Sequence, residues 1–400
     1  MIKEPLSILY YHYTLSKDGQ HVHIEAIIES FKELGCIVNV IGPYIGRKAT
    51  RGEGSACIGL LRQKLPSIFS ETMELLFNLT GMIRIIVAIF HQKPDFIYAR
   101  YSIYAPSALI VARILHIPIF LEVNAPLAEE RSRFGGIRMT SIAYNLEKWQ
   151  WKSADYICTV TNVLANIVKN VSKNQNVYVV PNGIYMDRYK DLLRSPEAKA
   201  IFHLPQTCTI GFVGHIREWH AVDELLLSIK ALQSKEVFLL IIGDGPAKSI
   251  LEKITDDIGV SEKVRFEGFV SGEELPAYLA AIDIAIQPRA LYYASPLKLV
   301  EYMAAGCAIV APNQENIKEL LENKINAILF ERGAMTESIS QLVDDVELRK
   351  TISCNARPKI SNCCLSWRNN AMRIIEIYTS NVEKPIDNRR FDECSGCDRG

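Results

Sequence analysis

Short apolar runs alternate with longer amphipathic stretches along most of the chain. Leu6–Tyr11 is an apolar run that ends in a polar loop holding Lys17, Asp18 and Gly19. A helical pattern follows from Val22 to Leu34, Gly35 stops it, and Ile37–Ile41 is β-branched. Strand, loop, helix and strand in that order predict a parallel sheet. The unit recurs, with strands predicted at Phe96–Ala99, Ile119–Val123, Tyr156–Val160 and Val177–Val180, and a helix at Ala105–Leu115. A second series begins after Pro205. Its strands are Ile210–Val213, Phe238–Ile242, Val264–Phe266, Ile282–Gln287 and Ala308–Ala311, with helices between. All are short, apolar and bounded by breakers, as strands covered on both faces must be.

The pattern therefore predicts an α/β protein of two doubly wound, Rossmann-like domains facing across a cleft. The expected divisions are 1–190, 191–365, a helix over 366–380 that returns to the first domain, and a polar tail over 381–400. In open α/β sheets, ligands bind outside the carboxyl ends of the strands. Two such edges facing each other suit a reaction that joins two substrates.

Charge and cysteine content narrow the function. The 400 residues hold 45 Lys+Arg and 45 Asp+Glu, a net charge of zero. Nucleic acid as a partner needs a clustered basic surface, so it is excluded as the expectation. A small anion site is not excluded, since two or three charges leave no trace in the total. The ten cysteines are scattered, most of them in apolar runs, and are expected to be reduced and buried in a cytoplasmic protein. Cys394 and Cys397 form a lone pair without the further ligands a zinc site needs. The first residues show no secretory pattern. Leu75–Phe90 is nearly apolar but contains Asn78, Thr80 and Arg84. It falls short of the roughly 18–20 apolar residues that span a bilayer. It is read as a packed helix, with peripheral contact at the inner membrane face kept open.

The glycine loops fail the commonest nucleotide tests. Gly243-x-Gly245 is followed by Lys248 where a dinucleotide fingerprint needs a third glycine, and no P-loop occurs. The informative stretch is Ser295–Val310. Pro296 opens a helix, so the free N–H groups of Leu297 and Lys298 converge on one spot, and Lys298 adds a full charge. Glu301, one turn on, faces the same side and suits two neighbouring hydroxyls, as on a ribose. An ordinary capped helix with a solvated Lys–Glu pair would use the same residues.

In order and spacing, these features resemble the retaining glycosyltransferases of family 4, which have the GT-B fold. The marks are Gly19, Pro181-Asn182-Gly183, Gly211-Phe212-Val213-Gly214, Gly243-Asp244-Gly245-Pro246, Phe266–Val270, Ser295–Gly306 and Trp367. The resemblance covers about residues 5–380. It implies a donor site of Gly19, Gly214, Phe269, Val270, Ser295, Pro296, Leu297, Lys298 and Glu301. Gly19 would let the backbone approach the diphosphate, Phe269 and Val270 would meet the base, and Glu301 would hold the ribose. Arg100, Tyr101 and Asn124 fall where acceptor-side residues lie. Catalytic roles fall to Arg217, Lys298 and Glu301.

The sequence also departs from the family. The first of the two glutamates many members carry is Tyr293 here, and the usual basic pair is His215 and His220. Arg217 is the replacement cation. The expected reaction moves a hexose from a nucleotide diphosphate sugar to a hydroxyl of a sugar, lipid-linked or small-molecule acceptor, with retention. It serves the synthesis of a polysaccharide, a glycolipid or a glycosylated small molecule. No Asp-x-Asp motif is present, so neither a metal nor another cofactor is expected. The alternatives are a GT-B nucleotide-sugar epimerase or phosphorylase, and a non-catalytic sugar-nucleotide-binding subunit.

Overall fold

Six strands form the first sheet: β1 (Ser7–Tyr11), β2 (Ile37–Ile41), β3 (Phe96–Arg100), β4 (Ile119–Val123), β5 (Tyr156–Thr159) and β6 (Val177–Val179). They run in the order β2-β1-β3-β4-β5-β6, and every pairing is parallel. The computed structural model describes residues 5–14, 19–43, 67–134, 136–190, 192 and 196–382. Lys17, Asp18, Cys394, Cys397 and the tail over 383–400 lie outside them.

The second sheet holds β7 (Cys208–Val213), β8 (Val237–Ile242), β9 (Val264–Gly268), β10 (Ile284–Ile286), β11 (Ala308–Pro312) and β12 (Ile328–Phe330). Its order is β12-β11-β10-β7-β8-β9, again parallel throughout. The two parallel-sheet α/β domains give a GT-B fold. Strand order reverses between β1 and β3 in one sheet and between β7 and β10 in the other. These switch points open the crevices in which such sheets bind ligands. The sequence pattern missed β12, a three-residue strand at a sheet edge.

Alternation along each strand builds two cores per domain. Leu9, Tyr11, Ile97 and Ala99 share one cluster with Leu109 and Trp151. Ile8, Tyr10, Phe96 and Tyr98 face the other way, onto Ile24, Ile27 and Phe31 of helix Gly19–Glu33. Ala371, Ile374 and Ile377 join that second cluster, so the last helix, Trp367–Val382, packs on the first domain. The chain thus crosses between the domains twice, side by side. Ile184 bridges Ser366 in parallel, and Asn370 Nδ2 donates to the Pro181 carbonyl at 2.6 Å. Gly183 is required there, since a Cβ would lie 2.5 Å from the Trp367 nitrogen.

Helix Ser67–His91 is longer than its apolar core suggested. Within residues 71–91 an 18-residue stretch reaches a mean hydropathy of 1.8, long and apolar enough to cross a bilayer by length and composition. This corrects the expectation that the stretch falls short. Its inner face is packed and pinned by polar side chains. Glu71 accepts from Tyr104 Oη at 2.7 Å and from the Arg138 and Met139 nitrogens, and Asn78 holds the Tyr104 carbonyl and Ser107. Its outer face is an exposed stripe of Leu76, Leu79, Ile83, Val87 and Phe90, the last 84% exposed.

Cysteine burial is mixed. Cys36, Cys158 and Cys307 are buried, but Cys354, Cys363 and Cys364 are exposed, against the expectation of buried thiols.

Candidate functional site

Helix Leu297–Ala304 begins at the second sheet's switch point, after the loop that follows β10. Its sequence, LKLVEYMA, has no glycine or proline inside, Pro296 precedes it, and Gly306 (φ 66°) follows its end. Leu299, Val300, Tyr302 and Met303 are buried, and Tyr302 Oη accepts from the Val213 nitrogen at 2.9 Å. Among the described residues no side chain caps the N-terminus, and no acidic residue stands in the first turn. The dipole and the first N–H groups are therefore left for something else.

Lys298 sits at that end. Its ammonium lies 4.1 Å from the centroid of the Phe212 ring. Its Nζ is buried and has no hydrogen-bond partner among the described residues. Burial pushes its pKa down to about 7, with Glu301 acting in the opposite direction. Glu301 is pushed up to about 7 by burial, opposed by Lys298 and Arg188. Arg188 was missed by the sequence reading; it comes from the linker region, stacks on Tyr185 and donates to the Gly272 carbonyl. Gly214 (φ 140°) closes the site from the β7 side, where a Cβ would lie 2.8 Å from Lys298 Nζ.

The loop after β7 carries the other cations. Arg217 stacks on Trp219, 4.8 Å from its centroid. His220 is held down to about 3 by burial and by the charges of Lys298 and Arg217, so it is a neutral imidazole. The charges of Lys298 and Arg217 therefore act on one spot. Gly243–Pro246 braces this loop through its backbone: the Ile216 nitrogen donates to the Asp244 carbonyl at 2.9 Å, and the Ala247 nitrogen to the Ile216 carbonyl. Val270 packs against the second domain's core, while Phe269 is 74% exposed beyond β9. Gly19 opens the first helix.

The three acceptor-side candidates turn inward. Arg100 and Asn124 both donate to Glu122 Oε1. Glu122 is 2% exposed; burial alone would raise its pKa, but His23 and Arg100 hold it well below the usual carboxylate range. Tyr101 is buried against Trp151 and donates to Glu147 at 2.8 Å. Arg100 and Tyr101 direct their polar ends to Glu122 and Glu147 and form the wall behind that edge. His12, at the end of β1, also belongs there, held at about 4 by burial and Arg100. No local sequence signal marked it or His23.

Several contacts join loops that follow strand carboxyl ends in both sheets. Tyr293 is 4% exposed, packs in the first domain's core and donates to Glu130. Tyr292 Oη donates to Glu129 at 2.8 Å, and Phe134 meets Trp219 at 5.3 Å between centroids. Glu319 accepts from the Asn162 and Val163 nitrogens at 2.8 and 3.1 Å, capping a first-domain helix, Asn162–Ser172, from the second domain. The two carboxyl edges therefore face one another.

The fold is that of the two-domain GT-B class, and comparison with known proteins agrees. The family described as Glycosyltransferase Family 4 matches residues 17–188, and Glycosyl transferases group 1 matches residues 207–345. The chain belongs to the group 1, family 4 glycosyltransferases. A 2-deoxystreptamine glucosyltransferase of Streptomyces kanamyceticus is 27% identical over 50% of this chain and 54% of its own length. An alpha-D-kanosaminyltransferase of the same organism is 26% identical over 43% of this chain and 46% of its own. The chain spans about half the length of these curated relatives. Among solved structures, Anabaena HepE in complex with UDP superposes with a TM-score of 0.70 at 17% identity, covering 94% of this chain and 100% of that one. Sucrose-phosphate synthase of Thermosynechococcus elongatus reaches 0.76 at 16% identity, covering 95% and 100%. At that identity the likeness is one of fold.

Proposed function

We propose that this chain is a retaining glycosyltransferase that moves a hexose from a nucleotide diphosphate sugar to an acceptor hydroxyl. The observation that carries this is the Lys298 ammonium, buried and unpartnered at the uncapped N-terminus of helix Leu297–Ala304. Such a charge needs an anion, because a buried charge is stable only when paired. Ser295, Pro296 and Leu297 form the turn that receives the diphosphate. Gly214 and Gly19 allow close approach, Phe269 and Val270 meet the base, and Glu301 takes the ribose hydroxyls.

As the glycosidic bond breaks, the departing phosphate oxygen gains negative charge. Lys298, Arg217 and the helix end stabilise that charge in a site shielded from water. The acceptor oxygen bonds to the anomeric carbon on the same face, and its proton passes to the departing phosphate oxygen. Retention follows, and no second catalytic carboxylate is needed. Neither a metal nor another cofactor is part of this scheme. Among the described residues, no three His, Cys, Asp or Glu side chains cluster as ligands.

The exposed stripe on helix Ser67–His91 favours an acceptor presented at a membrane, with the protein cytoplasmic and peripheral. The helix is joined through Glu71 to Tyr104 and Arg138, on the first domain's acceptor side. Three buried polar side chains on its inner face, Glu71, Glu74 and Asn78, support a helix that lies on the surface rather than across it.

A calorimetric panel of UDP, GDP, ADP and TDP, followed by turnover of the matching sugar donors in excess EDTA, tests the reading. Lys298→Ala and Arg217→Ala are each expected to cut turnover by about 10²-fold and to weaken nucleoside diphosphate binding. Unchanged binding and turnover in either variant removes that residue from the diphosphate site. Binding without turnover over any acceptor favours the non-catalytic subunit instead.

A further inference from the structure

A buried chain of hydrogen bonds runs from the first domain's sheet edge to the turn before Leu297. Glu122, at the end of β4, gathers Arg100 and Asn124 on its Oε1, and His23 Nε2 lies 3.3 Å from the same oxygen. His23 projects from helix Gly19–Glu33, and its Nδ1 is 2.9 Å from Asn182 Oδ1. Asn182 belongs to the linker, and its Nδ2 donates to the Ser295 carbonyl at 2.6 Å. The amide's orientation follows. Its nitrogen is committed to a carbonyl, so its oxygen faces His23, and His23 Nδ1 carries the proton between them. The Trp367 ring packs edge-on against the imidazole, with centroids 4.8 Å apart.

Five segments thus meet at His23 and Asn182: the end of β4, the first helix, the linker, the start of the last helix and the turn before Leu297. All four polar side chains or carbonyls in the relay belong to buried residues. An apolar junction would hold the segments together without the demand that every polar atom find a partner. What a hydrogen-bonded junction adds is direction, because each bond weakens steeply away from its preferred angle. The Ser295 carbonyl is held from the linker side, and Pro296 (φ −67°) has little freedom to rotate. Together they set the plane of the peptide that precedes the free N–H groups.

We propose that His23 and Asn182 are positioning residues. They aim the Ser295–Lys298 turn at the donor's terminal phosphate and register it against the Glu122 cluster in the first domain. The proposal rests on the reading of that turn as the diphosphate site.

The test is calorimetric titration of the full chain with UDP, GDP and the corresponding monophosphates. The wild type is expected to prefer the diphosphate of whichever base binds. Asn182→Ala and Asn182→Asp are expected to reduce that preference by about tenfold, the worth of one aimed hydrogen bond, while monophosphate affinity stays within about twofold. Asp keeps an acceptor for His23 but loses the donor to Ser295. A merely structural role would lower the melting temperature and leave the diphosphate-to-monophosphate ratio unchanged. His23→Gln, which leaves the linker sequence intact, is expected to reduce the ratio by about threefold and carries the test if the Asn182 variants do not fold. An unchanged ratio in these variants beside a clear preference in the wild type overturns the relay alone. No diphosphate preference in the wild type overturns the relay and the donor reading together.

Discussion

Lys298 pays for its position with its charge. Burial lowers its pKa to about 7, so the ligand-free ammonium loses its proton near neutrality. In the proposed donor site, a diphosphate restores the charge by pairing with it. The sign follows: above about pH 7, binding must first take up a proton, so nucleoside diphosphate affinity falls as pH rises, by up to about tenfold per unit. Calorimetry at rising pH should show this alkaline limb, with proton uptake in buffers of different ionisation enthalpy. Lys298→Ala should bind weakly and lack the limb. A limb that persists in the variant would assign it to Glu301, which is also pushed up to about 7 and gains its negative charge over the same range. His220 does not supply one, since its imidazole is already neutral well below that range.

At the scale of elements, two helices carry the argument in opposite ways. Helix Leu297–Ala304 is short, and its proposed use lies at its end, which no side chain among the described residues caps. Helix Ser67–His91 is long, and its use lies along its side. Leu76, Leu79, Ile83, Val87 and Phe90 recur at intervals of three and four, which keeps them on one face. Leu79 and Ile83 are each 61% exposed, so the double substitution Leu79→Glu with Ile83→Glu removes little packing. It is expected to change stability by less than about 1 kcal/mol. Co-sedimentation with phosphatidylglycerol-containing vesicles should be lost, while nucleoside diphosphate binding is retained. Equal sedimentation of variant and wild type would leave the stripe without a membrane role.

At the scale of the molecule, the two domains are fastened by residues that cap and brace each other. Glu319 of the second domain supplies the N-terminal cap of helix Asn162–Ser172 in the first, beside Thr161, whose hydroxyl donates to the Tyr293 carbonyl at 2.8 Å. Tyr292 and Tyr293 reach Glu129 and Glu130 from the same loop. Loss of a helix cap costs about 0.5–2 kcal/mol, so Glu319→Ala is expected to lower the melting temperature by a few degrees. Because this cap spans the domain boundary, the radius of gyration in solution scattering should also rise. A lower melting temperature with an unchanged radius would make Glu319 a local cap only.

Hydrophobic periodicity was enough to locate eleven of the twelve strands among the described residues, because a strand buried on both faces must be short, apolar and bounded by breakers. It missed β12, whose three residues are too few for a period. The helix after Pro296 was equally legible, since Pro296, Lys298, Glu301 and Gly306 sit within it and at its ends. The rest depended on residues far apart in the chain. Nothing near Arg100 or Tyr101 shows that Glu122 and Glu147 take their polar ends inward. Nothing near His23 shows Asn182, 159 residues on. The sequence by itself determined the two sheets, the family and the helix that Pro296 opens, because local pattern and adjacent residues carry them. Only the tertiary structure decided which charges lose their water and which polar groups meet across the domains. Burial and partnership are properties of the packed chain, and no run of neighbouring residues contains them.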